Sequence, residues 1–285
     1  MKPDYISDQY LHEFIARALN EDLGDGDQSS LSCVSPEQTS QAHLLVKESG
    51  LLAGVILAER IFRQFDSRLS ITAQIADGTH VHPGDIAFIV NGPARSILAT
   101  ERLVLNCMQR MSGIATETRR YVDLVAGMKV EIMDTRKTTP NFRLVEKWAV
   151  SIGGGKNHRI GLFDMIMLKD NHIKLAGGVR EAINQTKRYL RASNKKLRIE
   201  VEARTLEEVG EALEAGGIDV IMLDNMTTQE MQIAVQQVAG RCKTEASGGI
   251  TLDSIRKIAA SGVDCISVGA LTHSVKSLDL SLKIS

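Results

Sequence analysis

An α/β barrel of parallel strands, preceded by a smaller region of mixed helix and strand, is the fold class that this 285-residue sequence predicts. Three observations carry it. From about residue 128, short apolar runs ending in polar or glycine-rich turns recur as KVEIMDTRK, DMIMLKDNH, LRIEVEA, DVIMLDN, KTEASGG and DCISVGA. Helical stretches at 205–215, 228–238 and 252–260 lie between the later runs. The expected strand-end residues Glu202, Asp224, Ser247 and Gly269 stand about 22 residues apart, the length of one strand, one helix and two turns. The two earlier steps, Arg136 to Lys169 and Lys169 to Glu202, are longer and must hold extra elements. Six strands are clear where a closed barrel has eight, which leaves open an incomplete barrel or a full one with weak members.

The first hundred residues read differently. Ser7 opens a helix over 7–19, whose apolar positions Leu11, Phe14, Ile15, Ala18 and Leu19 keep a helical period. EDLGDGDQSS at 21–30 reads as a turn-rich loop. The short apolar runs AHLLV, LLAGVILA and DIAFIV follow, punctuated by HPGD and NGPAR turns. From Thr100 an amphipathic helix is expected, with Leu103, Val104, Cys107, Met108 and Met111 on one face and Arg102 and Arg110 off it.

Composition narrows the function. With 34 Lys and Arg against 35 Asp and Glu the chain has no basic field, which argues against a partner that is nucleic acid or an anionic membrane. Six Phe, four Tyr and one Trp form no cluster on which bases could stack. Four dispersed cysteines, Cys33, Cys107, Cys242 and Cys265, make no CxxC pair and disfavour a zinc site or a disulfide framework. The start MKPDYISDQY lacks a signal-peptide pattern, and the apolar run 51–58 is far short of the roughly 20 residues of a membrane span. The expected setting is the cytoplasm.

In such a barrel the C-terminal strand ends converge on one mouth. Here they supply Arg136 and Lys137, then Lys169, Glu202, Asp224, Ser247 with Gly248 and Gly249, and Gly269. SGGITLDS and SVGALTHS place glycines before successive helices, where exposed N–H groups attract phosphate; the alternative is two tight turns and nothing more. The segment 134–174 holds eight Lys or Arg against four acids. Arg143 and Lys147, four apart, read as a solvated helix face, whereas Arg136, Arg159 and Lys169 stand at turns and suit a substrate with more than one negative charge. Glu202 and Asp224 would bind ribose hydroxyls or magnesium, or pair internally with those cations. Lys169 after MIML would also suit a Schiff-base aldolase or lyase.

Several motifs fail. GGGKN at 153–157 lacks the first Gly and last Ser or Thr of a P-loop, and Asp25, Asp27 and Ser29 are followed by Ser30 and Pro36 where a calcium loop needs Gly and Glu. His80 and His82 have no third ligand nearby. VHPGD suggests a biotinyl-type carrier, without its attachment lysine.

DTRKT at 134–138, GGGKNHRIGLFDMIMLKDNH at 153–172, IEVEA at 199–203, IMLDN at 221–225, EASGGI at 245–250 and SVGALTHS at 267–274 together closely resemble the quinolinate phosphoribosyltransferases, the carboxylating nicotinate-nucleotide pyrophosphorylases. EDLGDGD at 21–27 and ERLVLNCMQRMSGIAT at 101–116 match the same family. The resemblance implies an N-terminal α/β sandwich at 1–112, completed by a tail at 275–285, and an open α/β barrel at 113–274. It implies that quinolinate and phosphoribosyl pyrophosphate (PRPP) give nicotinate mononucleotide, pyrophosphate and carbon dioxide with magnesium, in NAD synthesis. It further implies a homodimer with its active site at the subunit interface.

Carried over by position, Arg136, Arg159 and Lys169 would hold the quinolinate carboxylates with help from His158 and with Arg102 from the partner subunit, and Thr135 would join the substrate-binding set. Lys137 would meet PRPP, Glu202 and Asp224 its ribose and magnesium, and Ser247, Gly248, Gly249, Val268, Gly269 and Ala270 its 5′-phosphate. Lys137, Lys169, Glu202 and Asp224 would be the catalytic set. The alternatives are the Schiff-base lyase, a relative associated with molybdenum operons, and a non-enzymatic phosphate sensor or carrier.

Overall fold

The computed structural model describes residues 2–285. Contacts divide them into two units, one holding the chain through Arg119 with Thr139–Gly154 and Ser274–Ser285, the other Arg120–Thr138 with Gly155–His273.

The first unit opens with α1 (Asp8–Leu23), capped by the Ser7 hydroxyl, which accepts from the Tyr10 N–H, and buries Leu11 and Ile15. It runs four residues beyond the expected end. Asp27 then caps a further short helix, α2 (Gln28–Cys33), so only the middle of EDLGDGDQSS is a turn. β1 (Thr39–Val46) buries Ala42, Leu44 and Val46 in strict alternation, as a strand with one covered face does. After β2 (Gly50–Leu51) the run LLAGVILA does not continue as one element. Its second half begins α3 (Val55–Phe65), because Val55, Ala58, Ile61 and Phe62 form a helical stripe that shows only when the following ERIFRQF is included. β3 (Ser70–Ala73), β4 (His80–Val81) and β5 (Ile86–Pro93) follow, and Phe62 meets Phe88 edge to face at 5.8 Å. α4 (Ala94–Leu124) starts six residues earlier than expected and buries Val104, Cys107, Met108 and Met111.

Past β6 (Glu131–Met133) the chain forms α5 (Arg143–Ile152), which belongs to the first unit. Here the expectation of a solvated Arg143–Lys147 face is corrected: Lys147 is fully buried and Arg143 half-buried. On the same helix Glu146 is also fully buried, paired with Arg110, whose Nη2 lies 2.8 Å from its Oε1. The extra residues after Arg136 are therefore α5, and those after Lys169 are two helices rather than one, α6 (Asp170–Ala176) and α7 (Val179–Ala192).

The second unit is built on six parallel strands: β6, β7 (Ile166–Leu168), β8 (Ile199–Ala203), β9 (Val220–Asp224), β10 (Lys243–Ser247) and β11 (Cys265–Ser267). Their order is β6-β11-β10-β9-β8-β7, with β6 and β7 at opposite edges, so the sheet is open as the family resemblance implied. α8 (Leu206–Ala215) and α9 (Thr228–Val238) fall where the periodicity placed them, whereas α10 (Ile255–Ala259) is shorter. Every residue of β8 is buried, the mark of a strand covered on both faces. α11 (Ala270–His273) ends the unit, and β12 (Leu280–Ile284) pairs antiparallel with β1 in the four-stranded sheet β12-β1-β5-β3. No helix among the described residues is long and apolar enough to cross a membrane.

The tail lies close on α4, where the Leu278 N–H donates to the Gln109 carbonyl at 3.0 Å. A Cβ on Gly113 would sit 2.2 Å from the Lys276 carbonyl oxygen. Alanine normally favours a helix interior over glycine by about 1 kcal/mol. Gly113→Ala should instead cost roughly 1–3 kcal/mol by overpacking, lowering the midpoint of a thermal melt by several degrees. A raised midpoint would show that the tail does not pack there.

Candidate active site

Strand period and register build the site. Successive residues of a strand face opposite ways, so Glu200 and Glu202 share one face of β8, Met222 and Asp224 one face of β9, and Glu245 and Ser247 one face of β10. Parallel register sets Glu202 beside Met222, Glu245 beside Met222, and Ser247 beside Asp224. A cavity of about 870 Å³ opens at the C-terminal ends of these strands. Its lining includes Thr135, Arg136, Lys137, His158, Arg159, Lys169, Glu202, Asp224, Ser247, Gly248, Gly249, Gly269 and Ala270. Of the residues expected at the site, Arg102 and Val268 do not line it: Arg102 is exposed on α4 in the first unit, and Val268 is buried just after β11.

The cationic wall is held by carboxylates that are engaged with the backbone. Asp134, fully buried, accepts from the His158 N–H at 2.9 Å and from Asn157 Nδ2 at 2.7 Å. Asp164 accepts from the N–H groups of Ile160 and Gly161 at 2.8 and 2.9 Å. These two acids fix the 157–161 segment on either side of Arg159. The Arg159 guanidinium is 6% exposed and donates to the Met165 carbonyl, and burial together with the Arg136 charge pushes its pKa down. Arg136 Nε is buried without a hydrogen-bond partner among the described residues. A buried donor of this kind is costly unless a ligand satisfies it.

His158 Nε2 lies 2.9 Å from Glu200 Oε2 and 3.4 Å from Glu245 Oε1. Burial alone would lower its pKa, but the two carboxylates outweigh burial and raise it to about 10. Burial raises the Glu200 carboxyl, with His158 opposing. Lys169 begins α6, where its N–H donates to His172 Nδ1, and its ammonium stands half-exposed 3.5 Å from Glu202 Oε2.

The carboxylate wall contains a cation absent from the sequence expectations. Arg204 reaches Asp170 Oδ2 at 3.1 Å and both Glu202 Oε1 and Asp224 Oδ2 at 3.5 Å. It stands one residue beyond β8, and the same strand-end logic that selected Lys169 could have found it. Of the internal pairs expected, Glu202 makes one with Lys169, whereas Asp224 pairs with Arg204 instead; the convergence of both acids on that guanidinium shows that they point to a common place.

The glycine loops close the far side. Gly248 has φ +100°, and a Cβ there would lie 2.1 Å from Asn225 Oδ1. Asn225, itself left-handed at φ 57°, donates from its backbone to the Ser247 carbonyl and from Nδ2 to Asp224. The absent side chain therefore lets two strand ends interlock. Across the mouth, Thr272 Oγ1 donates to the Lys137 carbonyl at 2.8 Å and ties the last loop to the first.

Comparison with known proteins accords with this geometry. The model of the quinolinate phosphoribosyl transferase N-terminal domain matches residues 27–112, and that of the C-terminal domain matches residues 114–283. Quinolinate phosphoribosyltransferase (decarboxylating) 1b of Nicotiana tabacum is 48% identical, covering all of this chain and 85% of the relative. A probable nicotinate-nucleotide pyrophosphorylase (carboxylating) of Bacillus subtilis is 43% identical over 93% of this chain and 90% of its own. The crystal structure of NadC from Streptococcus pyogenes superposes with a TM-score of 0.93 at 39% identity over 98% of both chains. The Francisella tularensis nicotinate-nucleotide pyrophosphorylase does so at 0.91 and 38%, over 98% of both chains. With both domain models matched in collinear order and relatives of 43–48% identity along nearly the whole chain, the chain belongs to the quinolinate phosphoribosyltransferase family.

Proposed function

We propose that this cavity receives quinolinate at its cationic wall and PRPP across its carboxylates and glycine loops. The activity is that of the family: the chain transfers a phosphoribosyl group to quinolinate with decarboxylation, in NAD biosynthesis. The observation that carries the placement is the buried, unpartnered Nε of Arg136, which stands beside Arg159 and His158 in one lining. Planar guanidinium groups match carboxylate geometry, and quinolinate brings two adjacent carboxylates.

In this reading Arg136, Arg159, Lys169 and His158 hold the diacid, so that its ring nitrogen faces C1′ of the donor. The nitrogen lone pair forms the N–C1′ bond as the C1′–O bond breaks and its electron pair leaves with pyrophosphate. Glu202 and Asp224 stabilise the oxocarbenium-like charge on the ribose, while Lys137 and Lys169 face the departing phosphates. The alkylated pyridinium then accepts the electron pair of the breaking bond to the adjacent carboxylate, and that ring carbon takes up a proton. Ser247, Gly248, Gly249, Gly269 and Ala270 offer backbone N–H groups to the 5′-phosphate.

Glu202 and Asp224 also suit magnesium, because they are hard oxygen donors that already converge on one cation, Arg204. Bound with PRPP, magnesium would offset charge on the leaving pyrophosphate.

The working form in this reading is a homodimer in which Arg102 of the partner subunit reaches the diacid. Leu162 and Phe163, 71% and 74% exposed just beyond Arg159, give apolar surface for a partner to cover. The proposed setting is the cytoplasm. The four cysteines are free, and burial pushes the thiols of Cys107 and Cys265 up to about 12.

Two variants separate the two substrates. Arg136→Ala should lower kcat/KM for quinolinate about 10²–10³-fold through loss of a buried charge pair, with KM for PRPP within about twofold; near wild-type kinetics would refute the placement. In Gly248→Ala the added methyl must displace Asn225, so initial rates should show KM for PRPP raised at least about tenfold while KM for quinolinate holds. Equal effects on both substrates would contradict the assignment of that loop.

A further inference from the structure

Below the cationic wall the barrel interior holds two acids, Glu200 and Glu245, that the reaction does not directly use and that face His158. The side chains of His158, Glu200 and Glu245 are 7%, 1% and 2% exposed. Glu200 and Glu245 come from β8 and β10, on the same strand faces as Glu202 and Ser247 but two residues deeper. Their oxygens approach His158 Nε2 at 2.9 and 3.4 Å without hydrogen-bond alignment. Both Glu200 oxygens and Glu245 Oε1 lack hydrogen-bond partners among the described residues. Buried carboxylate oxygens that lack donors are sustained by nearby positive charge or by taking up a proton. His158 stands between them. The other groups facing the cluster are Arg159, whose charge acts on Glu200, and the Cys265 thiol, which feels Glu245.

We propose that Glu200 and Glu245 are positioning residues that hold His158 as an imidazolium, so that the diacid meets a further fixed positive charge beside Arg136 and Arg159. This rests on the placement of quinolinate proposed above. An ordinary histidine, with a pKa near 6.5, would present mostly a neutral ring at neutral pH. The cluster also separates two effects of opposite sign. If Glu245 were only a nearby negative charge, its removal would make the mouth more positive and improve binding of a dianion. If it acts through His158, its removal leaves Glu200 alone to hold the imidazolium, and the loosened, less positive ring binds the diacid more weakly.

The test is Glu245→Gln in the full-length enzyme, assayed at pH 8. KM for quinolinate should rise at least about fivefold, with KM for PRPP and the thermal midpoint little changed. An unchanged or lower KM for quinolinate overturns the proposal. If Arg136→Ala also leaves quinolinate binding intact, the placement of the diacid falls as well; if Arg136→Ala weakens it, only the role of Glu245 falls. A second measurement does not depend on how the variant folds or where the substrate sits. In ¹⁵N-histidine-labelled wild-type protein, with His158 assigned by comparison with His158→Gln, both ring nitrogens should remain protonated at pH 8. A neutral ring, or an Nε2 deprotonated by a bound metal ion, overturns the proposal.

Discussion

Opposite charges must face one another across a single cavity without cancelling, and the site depends on how this is achieved. Fixed backbone geometry does the work. Asp134 and Asp164 are the acids nearest in sequence to the cationic segment, and both are engaged by N–H groups of residues 158, 160 and 161. Their hydrogen bonds go to the backbone on either side of Arg159 and not to its guanidinium. Glu202 meets its cations at 3.5 Å, beyond the distance of a strong charge-assisted hydrogen bond. A substrate carrying both an anionic ring and a developing ribosyl cation can therefore find unspent charge of each sign.

Strand periodicity places these groups in layers. A one-residue slip in β8 would turn Glu200 and Glu202 out to the helix side and bring Ile199, Val201 and Ala203 into the cavity. Register in the parallel sheet is thus a requirement of the chemistry as well as of the fold. The outward faces of β8 and β9 carry Val201, Ala203, Ile221 and Leu223, which are fully buried, so burial pins the register that the polar face needs.

Much of this was legible in the sequence because it is local. Helix 228–238 has a Thr227 cap, a Glu230 capping box and a complete apolar stripe, and it appears with those bounds. The strand-end residues were found because each strand ends in a polar turn. What escaped depends on contacts between distant segments. Lys147 lies on a helix whose spacing reads as solvated, and nothing local reveals that α5 packs with the first unit. Glu200 and Glu245 lie two residues inside the polar strand ends, within runs that read as buried strand, although alternation alone puts them on the cavity side. Arg204 stands one residue past β8, and only the structure shows that it turns back onto Glu202 and Asp224. LLAGVILA was divided between strand and helix by the residues that follow it.

The central claim is that the site reads two carboxylates and expels one of them. The most direct measurement compares quinolinate with nicotinate, which carries one, in PRPP-dependent assays that follow pyrophosphate and carbon dioxide together. With quinolinate the two products should appear in equal amounts. With nicotinate kcat/KM should be at least about 10²-fold lower, since a buried cation loses its partner. Comparable turnover of nicotinate, or pyrophosphate release from quinolinate without carbon dioxide, would contradict the account.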